Sequence, residues 1–448
     1  MLTRFAGLAL VACAIAAAQP ARGPITFNDD GGWCWFQDER ALVYGGKLII
    51  GSVAAGVHSP ERRGNIEVVT CELATGRLHR FALHPNLYND SRGHYDDHNA
   101  PAFVVRGDSR IVAVYAKHGT ENRFYDRITE QPRDTTAWQA VQEFIPSEAS
   151  RITYANVYRL AGEAGRIYNF FRGLDNSYKP SYAWSDDDGR TWRSGGVFIN
   201  VPGQVRHRPY VKYASDGSGA IHFLYTEGHP RDYANSVYHV YYRAGKLHRS
   251  DGTVVRTLAE GLSAPDEGTC IFRGDPNNVA WASDIQVDSQ GRPFAAYSVQ
   301  KDSAGLPPGQ GGHDHRYRYA RWDGKRWVDH EIAYAGSRLY AGEDDYTGNV
   351  ALDPDNSSAI YISTNADPAT GKDLISRADH RRHYEVFEGR TADGGATWTW
   401  TAVTRDSTAD NLRPIMPSRE NGRTALLWLR GTYRAYTDYD LDVVGLLK

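Results

Sequence analysis

The chain has 448 residues, 41% hydrophobic and 12% aromatic, with a net charge of −3. That is ample for a large core, and the near-neutral balance, with no basic run or stacking motif, excludes nucleic acid as the expected partner. Tyr (28), Trp (11) and Gly (44) are abundant and Met is only 2, a composition of aromatic strands and many turns that fits an all-β protein.

The N-terminus, MLTRFAGLALVACAIAAA, carries Arg4, an apolar run from Phe5 and an Ala16-Ala17-Ala18 stop. It predicts a signal peptide over residues 1–18 and a secreted or periplasmic protein. Leu10-Val11-Ala12-Cys13 also resembles a lipoprotein box; cleavage near Ala18 is preferred because the apolar run continues past Cys13. No later segment is apolar enough to span a bilayer. Cys34, Cys71 and Cys270 then remain, an odd number that allows no complete disulfide framework. Nothing in the sequence sets the oligomeric state.

From residue 25 onward one hairpin plan recurs. First strands begin near Arg40, Ala100, Tyr154, Arg208, Ser283, Tyr346 and Arg413. Each is followed by a turn rich in Gly, Asp or Asn and then by a second strand, the seconds starting at 47, 110, 166, 220, 292, 359 and 424. SDDDGRTW (185–192) and TADGGATW (391–398) match the Asp-box turn, in which Asp and Ser/Thr side chains satisfy turn amides and the Trp packs between sheets. Seven units of about four strands predict a seven-bladed β-propeller with Asp-box turns, one domain over 25–448. GLPPGQGG (305–312) reads as an inserted loop.

In a propeller the start of the innermost strand and the end of the second lie on one face near the axis. Those positions collect Arg40, His98, His118, Tyr154, Arg172, Arg208, Tyr210, Glu227, Asp284, Tyr346, Arg413 and Arg430. Arginine forks match carboxylates, and tyrosine offers a stacking face and a hydroxyl, so the rim suits an acidic polysaccharide. His98 and His118 flank one hairpin and face the same space. Imidazoles exchange protons near neutral pH.

Such a set can run β-elimination on a uronate. An Arg neutralises the carboxylate, a base removes the C5 proton, and an acid protonates the leaving O4. His98, His118, Tyr154 and Tyr210 are the candidates for proton transfer; a tyrosine acts as base if a nearby cation lowers its pKa. Arg172, Arg208, Glu227 and Tyr346 are the candidates for substrate binding. No cofactor is required for this chemistry.

GGWCWFQDERALVYGGKLIIGSVA (31–54), DDHNAPA (96–102), YAKHG (115–119), RPYVKY (208–213), YTEGHPRDYANSVYHVYY (225–242), RYARWDGKRW (318–327) and YTGNVALDP (346–354) together resemble the BNR-repeat-containing proteins. That group includes propeller-type ulvan lyases and rhamnosyl-glucuronate lyases. The resemblance implies that His98 and His118 are the two active-site histidines, with the same twenty-residue gap, and that Tyr154, Tyr210 and Arg172 are the tyrosines and the carboxylate-binding arginine. It implies a polysaccharide lyase acting on an ulvan-like or rhamnose–glucuronate polymer. A sialidase-like glycoside hydrolase and a non-catalytic carbohydrate-binding propeller are the alternatives.

His229, Cys270, His313 and His315 form a second constellation. Imidazole plus thiolate suits a structural zinc, as the resembled lyases sometimes carry, and the competing reading is four unlinked loop residues. Asp186, Asp187 and Asp188 invite calcium, but the Asp box accounts for them.

Overall fold

The computed structural model describes residues 23–147, 149–174, 178–200, 208–301, 306–307 and 309–448. The segment 1–18 read as a signal peptide, with Cys13, lies outside these residues, as does part of the 305–312 loop. Among the described residues no helix is long and apolar enough to cross a membrane.

Seven antiparallel sheets form a seven-bladed propeller. The inner and second strands are Ala41–Tyr44 and Lys47–Val53, Ala102–Val105 and Ile111–Tyr115, Ala149–Leu160 and Arg166–Leu174, Val211–Ser215 and Ala220–Tyr225, Val279–Val287 and Pro293–Gln300, Val350–Leu352 and Ala359–Thr364, and Asp410–Ile415 and Ala425–Ala435. The second strands are the most deeply buried; Ile111–Tyr115, Ala220–Tyr225 and Ala359–Thr364 are buried at every position. Residues covered on both faces must be apolar throughout, which is why these strands read as continuous runs such as IVAVY rather than as alternation.

Two features are absent from the sequence reading. The N-terminal strand Ile25–Asn28 pairs with Asp438–Leu447 and becomes the outermost strand of the seventh blade, so the two ends of the chain close the ring. The fourth blade has six strands, because Thr269–Phe272 returns to pair with Val237–Arg243.

Both Asp boxes serve as turns. Asp187 accepts from the Thr191 amide (2.8 Å) and hydroxyl (2.6 Å), and Asp393 does the same for Thr397 (2.9 and 2.6 Å). Trp192 leaves its own blade and donates Nε1 to Asp126 of the second blade (3.1 Å), which fastens the two blades together.

The fourth blade holds a buried histidine pair. His222 Nδ1 and His239 Nε2 are 3.0 Å apart, and His239 Nδ1 meets Ser250 Oγ at 2.8 Å. Burial pushes the His222 pKa down to about 4 and the His239 pKa well below 6.5. Both are neutral when folded, whereas an unfolded histidine takes a proton near 6.5. The stabilisation is therefore complete above pH 6.5 and is lost as pH falls towards 4. His222 alone, at about 4 folded against 6.5 unfolded, accounts for about 3 kcal/mol of that loss. Urea unfolding at pH 7 and pH 4.5 is expected to show this fall, and a His222→Gln variant should show a smaller one.

Candidate active site

The propeller axis is filled by Trp33–Glu39, the loop between the first two strands of the chain. It touches every other blade that faces the axis. Gln37 Nε2 donates to the backbone oxygens of His98 (2.7 Å) and Ala100 (3.3 Å). Lys212 Nζ donates to Gln37 O (2.7 Å), Asn349 Nδ2 to Trp35 O (3.2 Å), and Arg413 to Trp33 O and Gln37 O (3.4 and 3.3 Å). Asp38 accepts from the Tyr158 hydroxyl at 2.8 Å. Trp35 stacks on Tyr346 (5.5 Å, 8°), and Phe36 meets Tyr210 edge-on (4.6 Å) and stacks on Trp281 (5.5 Å). This aromatic plug is the floor on which the site is built.

His98 lies in a single turn, Asp97–Asn99, capped by Asp96. His118 follows the second strand of the same blade. Pairing of Ala102 with Val114, continued four residues outward on each side, brings 98 opposite 118. The two rings stack at 3.7 Å and 10°. Asp96 bridges them, its Oδ1 2.6 Å from His98 Nδ1 and its Oδ2 2.9 Å from His118 Nδ1. The same carboxylate accepts from the His98 amide (3.0 Å) and Asn89 Nδ2 (2.7 Å). Burial alone would raise the Asp96 pKa; the two histidines more than offset it and hold it well below the usual carboxylate range.

The two imidazoles differ. Burial opposes the charge on His98, but Cys34 and the Asp96 carboxylate beside it hold its pKa well above 6.5. Burial and the His98 charge push the His118 pKa down, against the pull of Asp96. Two unit charges about 4 Å apart repel by about 4 kcal/mol at the effective dielectric of a protein site, or about three pH units. The pair therefore takes its protons in two separate steps.

Tyr154 stacks on the other face of His98 (5.5 Å). Its strand begins at Ala149, earlier than the sequence suggests, and bulges: Thr153 pairs with Arg172 and Asn156 with Phe170, leaving Tyr154 and Ala155 opposite one residue. Tyr154 has φ +70°, a conformation bulky residues resist at about 1–3 kcal/mol. Bulges of this kind re-aim side chains. Here the tyrosine ring comes against the histidines. Burial raises its pKa despite Arg172, so Tyr154 holds its proton.

The Arg172 guanidinium is sandwiched 4.6 Å over the Tyr154 ring and 4.7 Å over the Tyr210 ring. It is 5% exposed, and its Nε and Nη1 find no acceptor among the described residues. Such a cation is costly to bury without an anion.

The remaining predicted residues spread outward. Tyr346 sits on the axis, against Trp35, Trp281 (5.0 Å) and Tyr340 (5.6 Å). Arg208 is half-buried, and its charge bears on His229 and Glu343. Glu227 accepts from the Ser236 amide and the Tyr238 hydroxyl (both 2.7 Å), contacts within the fourth blade. Arg40 and Asp284 lie beneath the plug, lining a cavity of about 180 Å³ with Asp38, Tyr158 and Tyr213. Arg40 is tied there to Ala155 O (2.7 Å) and Asn156 Oδ1 (2.6 Å).

The four residues suggested for zinc do not gather: no three of them offer ligand atoms within 4.8 Å of one another. Cys270 and His315 are held in different sheets, opposite Tyr238 and Gly336, and His313 is exposed with Nε2 on Gln310 O (3.1 Å). His229 instead stands with Glu343 (3.6 Å) and Asp345 (3.8 Å). Those donors are of types that zinc accepts, but Glu343 is already paired with Arg231 at 2.8 Å.

Asp96, the plug and Tyr436 are absent from the sequence-derived set. Tyr436, in the hairpin of the seventh blade, meets both His98 and His118 edge-on at 5.3 Å. A carboxylate two residues before a histidine was a readable signal for Asp96; nothing local links residue 436 to residue 98.

Residues 61–335 match the model of the BNR repeat-containing family. Among solved structures, the chain is similar to a PL25 ulvan lyase bound to -[GlcA(1-4)Rha3S]-, with 15% identity, a TM-score of 0.68, and 94% of this chain and 95% of that chain covered. It is also similar to polysaccharide lyase Uly1, with 12% identity, a TM-score of 0.62, and coverage of 97% and 93%. No curated protein matches. At these identities the likeness to the solved structures is one of fold.

Proposed function

The chain belongs to the BNR repeat-containing family, and on that footing we propose that it is a polysaccharide lyase cleaving a uronate-containing polymer by β-elimination. The observation that carries this reading is Arg172, a buried guanidinium with open donors beside a stacked histidine pair. A uronate carboxylate answers that unmet charge, and neutralising it stabilises the negative charge that develops when C5 loses its proton.

The proton moves as follows. His118, the imidazole less prone to hold a proton, takes the C5 hydrogen on Nε2, since its Nδ1 faces Asp96. The C–H electron pair forms the C4–C5 double bond as the C4–O4 bond breaks. O4 receives a proton from a group that holds one, the His98 imidazolium or the Tyr154 hydroxyl. Tyr210, Tyr346 and Arg208 supply the aromatic and cationic walls for neighbouring sugars. The polymer in this proposal is ulvan-like or a rhamnose–glucuronate glycan, by analogy with the solved lyase that carries such an oligosaccharide. The leader-like segment 1–18 supports action outside the cytoplasm.

A hydrolase needs two opposed carboxylates with room for water or a glycosyl intermediate. The carboxylates beside the histidines are engaged otherwise, Asp96 by both imidazoles and Asp97 by the Tyr433 hydroxyl at 2.8 Å. Cleavage in heavy-oxygen water separates the two. Elimination leaves new ends without the label; labelled reducing ends would reject the lyase reading.

A further inference from the structure

We infer that Asp96 is the positioning residue of this site: one carboxylate fixes His98 and His118 in the same tautomer and lets the stacked pair carry a single proton between them. The inference concerns the pair itself, and its catalytic consequence rests on the lyase reading. An ionised carboxylate can only accept, so both Nδ1 atoms within hydrogen-bond distance of Asp96 must bear hydrogen. Each neutral ring then has its lone pair on Nε2, on the side away from Asp96. With the rings 3.7 Å apart, one anion compensates one imidazolium well and two poorly.

The surroundings reinforce the asymmetry. Asp97, from the same turn, lies 3.0 Å from His98 Nδ1, and Cys34 of the plug approaches the same ring. Tyr154 covers His98 on its free face, while the Arg172 charge disfavours a proton on His118. Tyr436 meets both rings edge-on as a neutral hydroxyl-bearing ring, and Tyr340 and His98 lie close enough for the His98 charge to bear on the Tyr340 hydroxyl. The negative and acidic groups thus cluster on His98 and the free cation faces His118. The outcome is one imidazolium and one neutral imidazole, an acid beside a base, held ready before substrate arrives.

The test is nitrogen NMR of isotope-labelled histidines across pH, on the full chain, with His98→Gln and His118→Gln for assignment. The wild type is expected to show two titrations at least about two pH units apart, with both neutral rings carrying hydrogen on Nδ1. Asp96→Asn keeps the turn cap, because Asn caps as Asp does. Its amide must donate to one ring, which then moves its hydrogen to Nε2. The two titrations should draw together, and kcat should fall by about 10–100-fold with little change in KM. Two titrations within one unit of each other, or an Nε2 hydrogen in either neutral wild-type ring, would overturn the inference. So would an Asp96→Asn protein with unchanged tautomers and pH profile. If Asp96→Asn does not fold, His98→Gln decides: the His118 titration must rise when the neighbouring imidazolium is removed, and an unmoved one refutes the coupling. None of these spectra needs a substrate. A wild type that forms no unsaturated ends removes the lyase reading and leaves this inference to the NMR.

Discussion

His118→Ala is expected to lower kcat on a uronate polymer by about 10²–10⁴-fold while leaving affinity for the polymer within a few-fold. The reason is geometric. The ring is stacked on His98 and anchored through Nδ1, so its removal takes away the proton acceptor and leaves Arg172, Tyr210 and the aromatic plug in place. Binding is measured on the inactive variant by calorimetry with an oligosaccharide. Loss of affinity in step with kcat would make His118 a binding residue instead. The same assignment sets the pH profile of kcat/KM. The base must be neutral, so activity falls as pH drops through the His118 pKa, which lies below 6.5. If His98 is the acid, activity falls again as pH rises through its pKa, which lies well above 6.5. In the His98→Gln variant the alkaline limb should move to the titration of Tyr154 or disappear.

Arg172→Ala is expected to lower kcat by about 10²–10³-fold and to raise KM as well, because the same guanidinium binds the carboxylate and stabilises the charge that develops beside it. Arg172→Lys should recover part of the loss but not all of it. An ammonium restores the charge and lacks the planar fork, and it cannot lie between the Tyr154 and Tyr210 rings as a guanidinium does. A polymer whose uronate is methyl-esterified discriminates further. It needs no neutralising cation, so the penalty for Arg172→Ala should shrink on it. An equal penalty on both polymers would assign Arg172 to packing of the two tyrosines. Circular dichroism and thermal melting on each variant separate loss of function from loss of fold.

The parts of the protein that were legible in the sequence are those set by short-range rules. The inner and second strands of all seven blades follow from apolar runs broken by turn residues, and His98 and His118 follow from the register of one hairpin. What was not legible depends on distant parts of the chain. Trp33–Glu39 carries no local sign of its place, and only the assembled ring shows that it plugs the axis. Ile25–Asn28 finds its partner more than four hundred residues later. Tyr154 is readable as a rim tyrosine, but the bulge and the positive φ that turn it onto His98 have no signature in YANVYRL. Asp96 had a readable local signal, a carboxylate two residues before a histidine, but its bridge to the second histidine depends on the far end of the hairpin.

The central claim is elimination, and ultraviolet absorbance tests it most directly. Purified protein is incubated with a panel of uronate polysaccharides, including ulvan-like and rhamnose–glucuronate glycans, while absorbance is followed in the far ultraviolet. Elimination places a C4–C5 double bond in conjugation with the carboxylate, and hydrolysis does not. The account predicts a steady rise on at least one polymer, abolished in His118→Ala and Arg172→Ala. New reducing ends accumulating under a flat trace would contradict it.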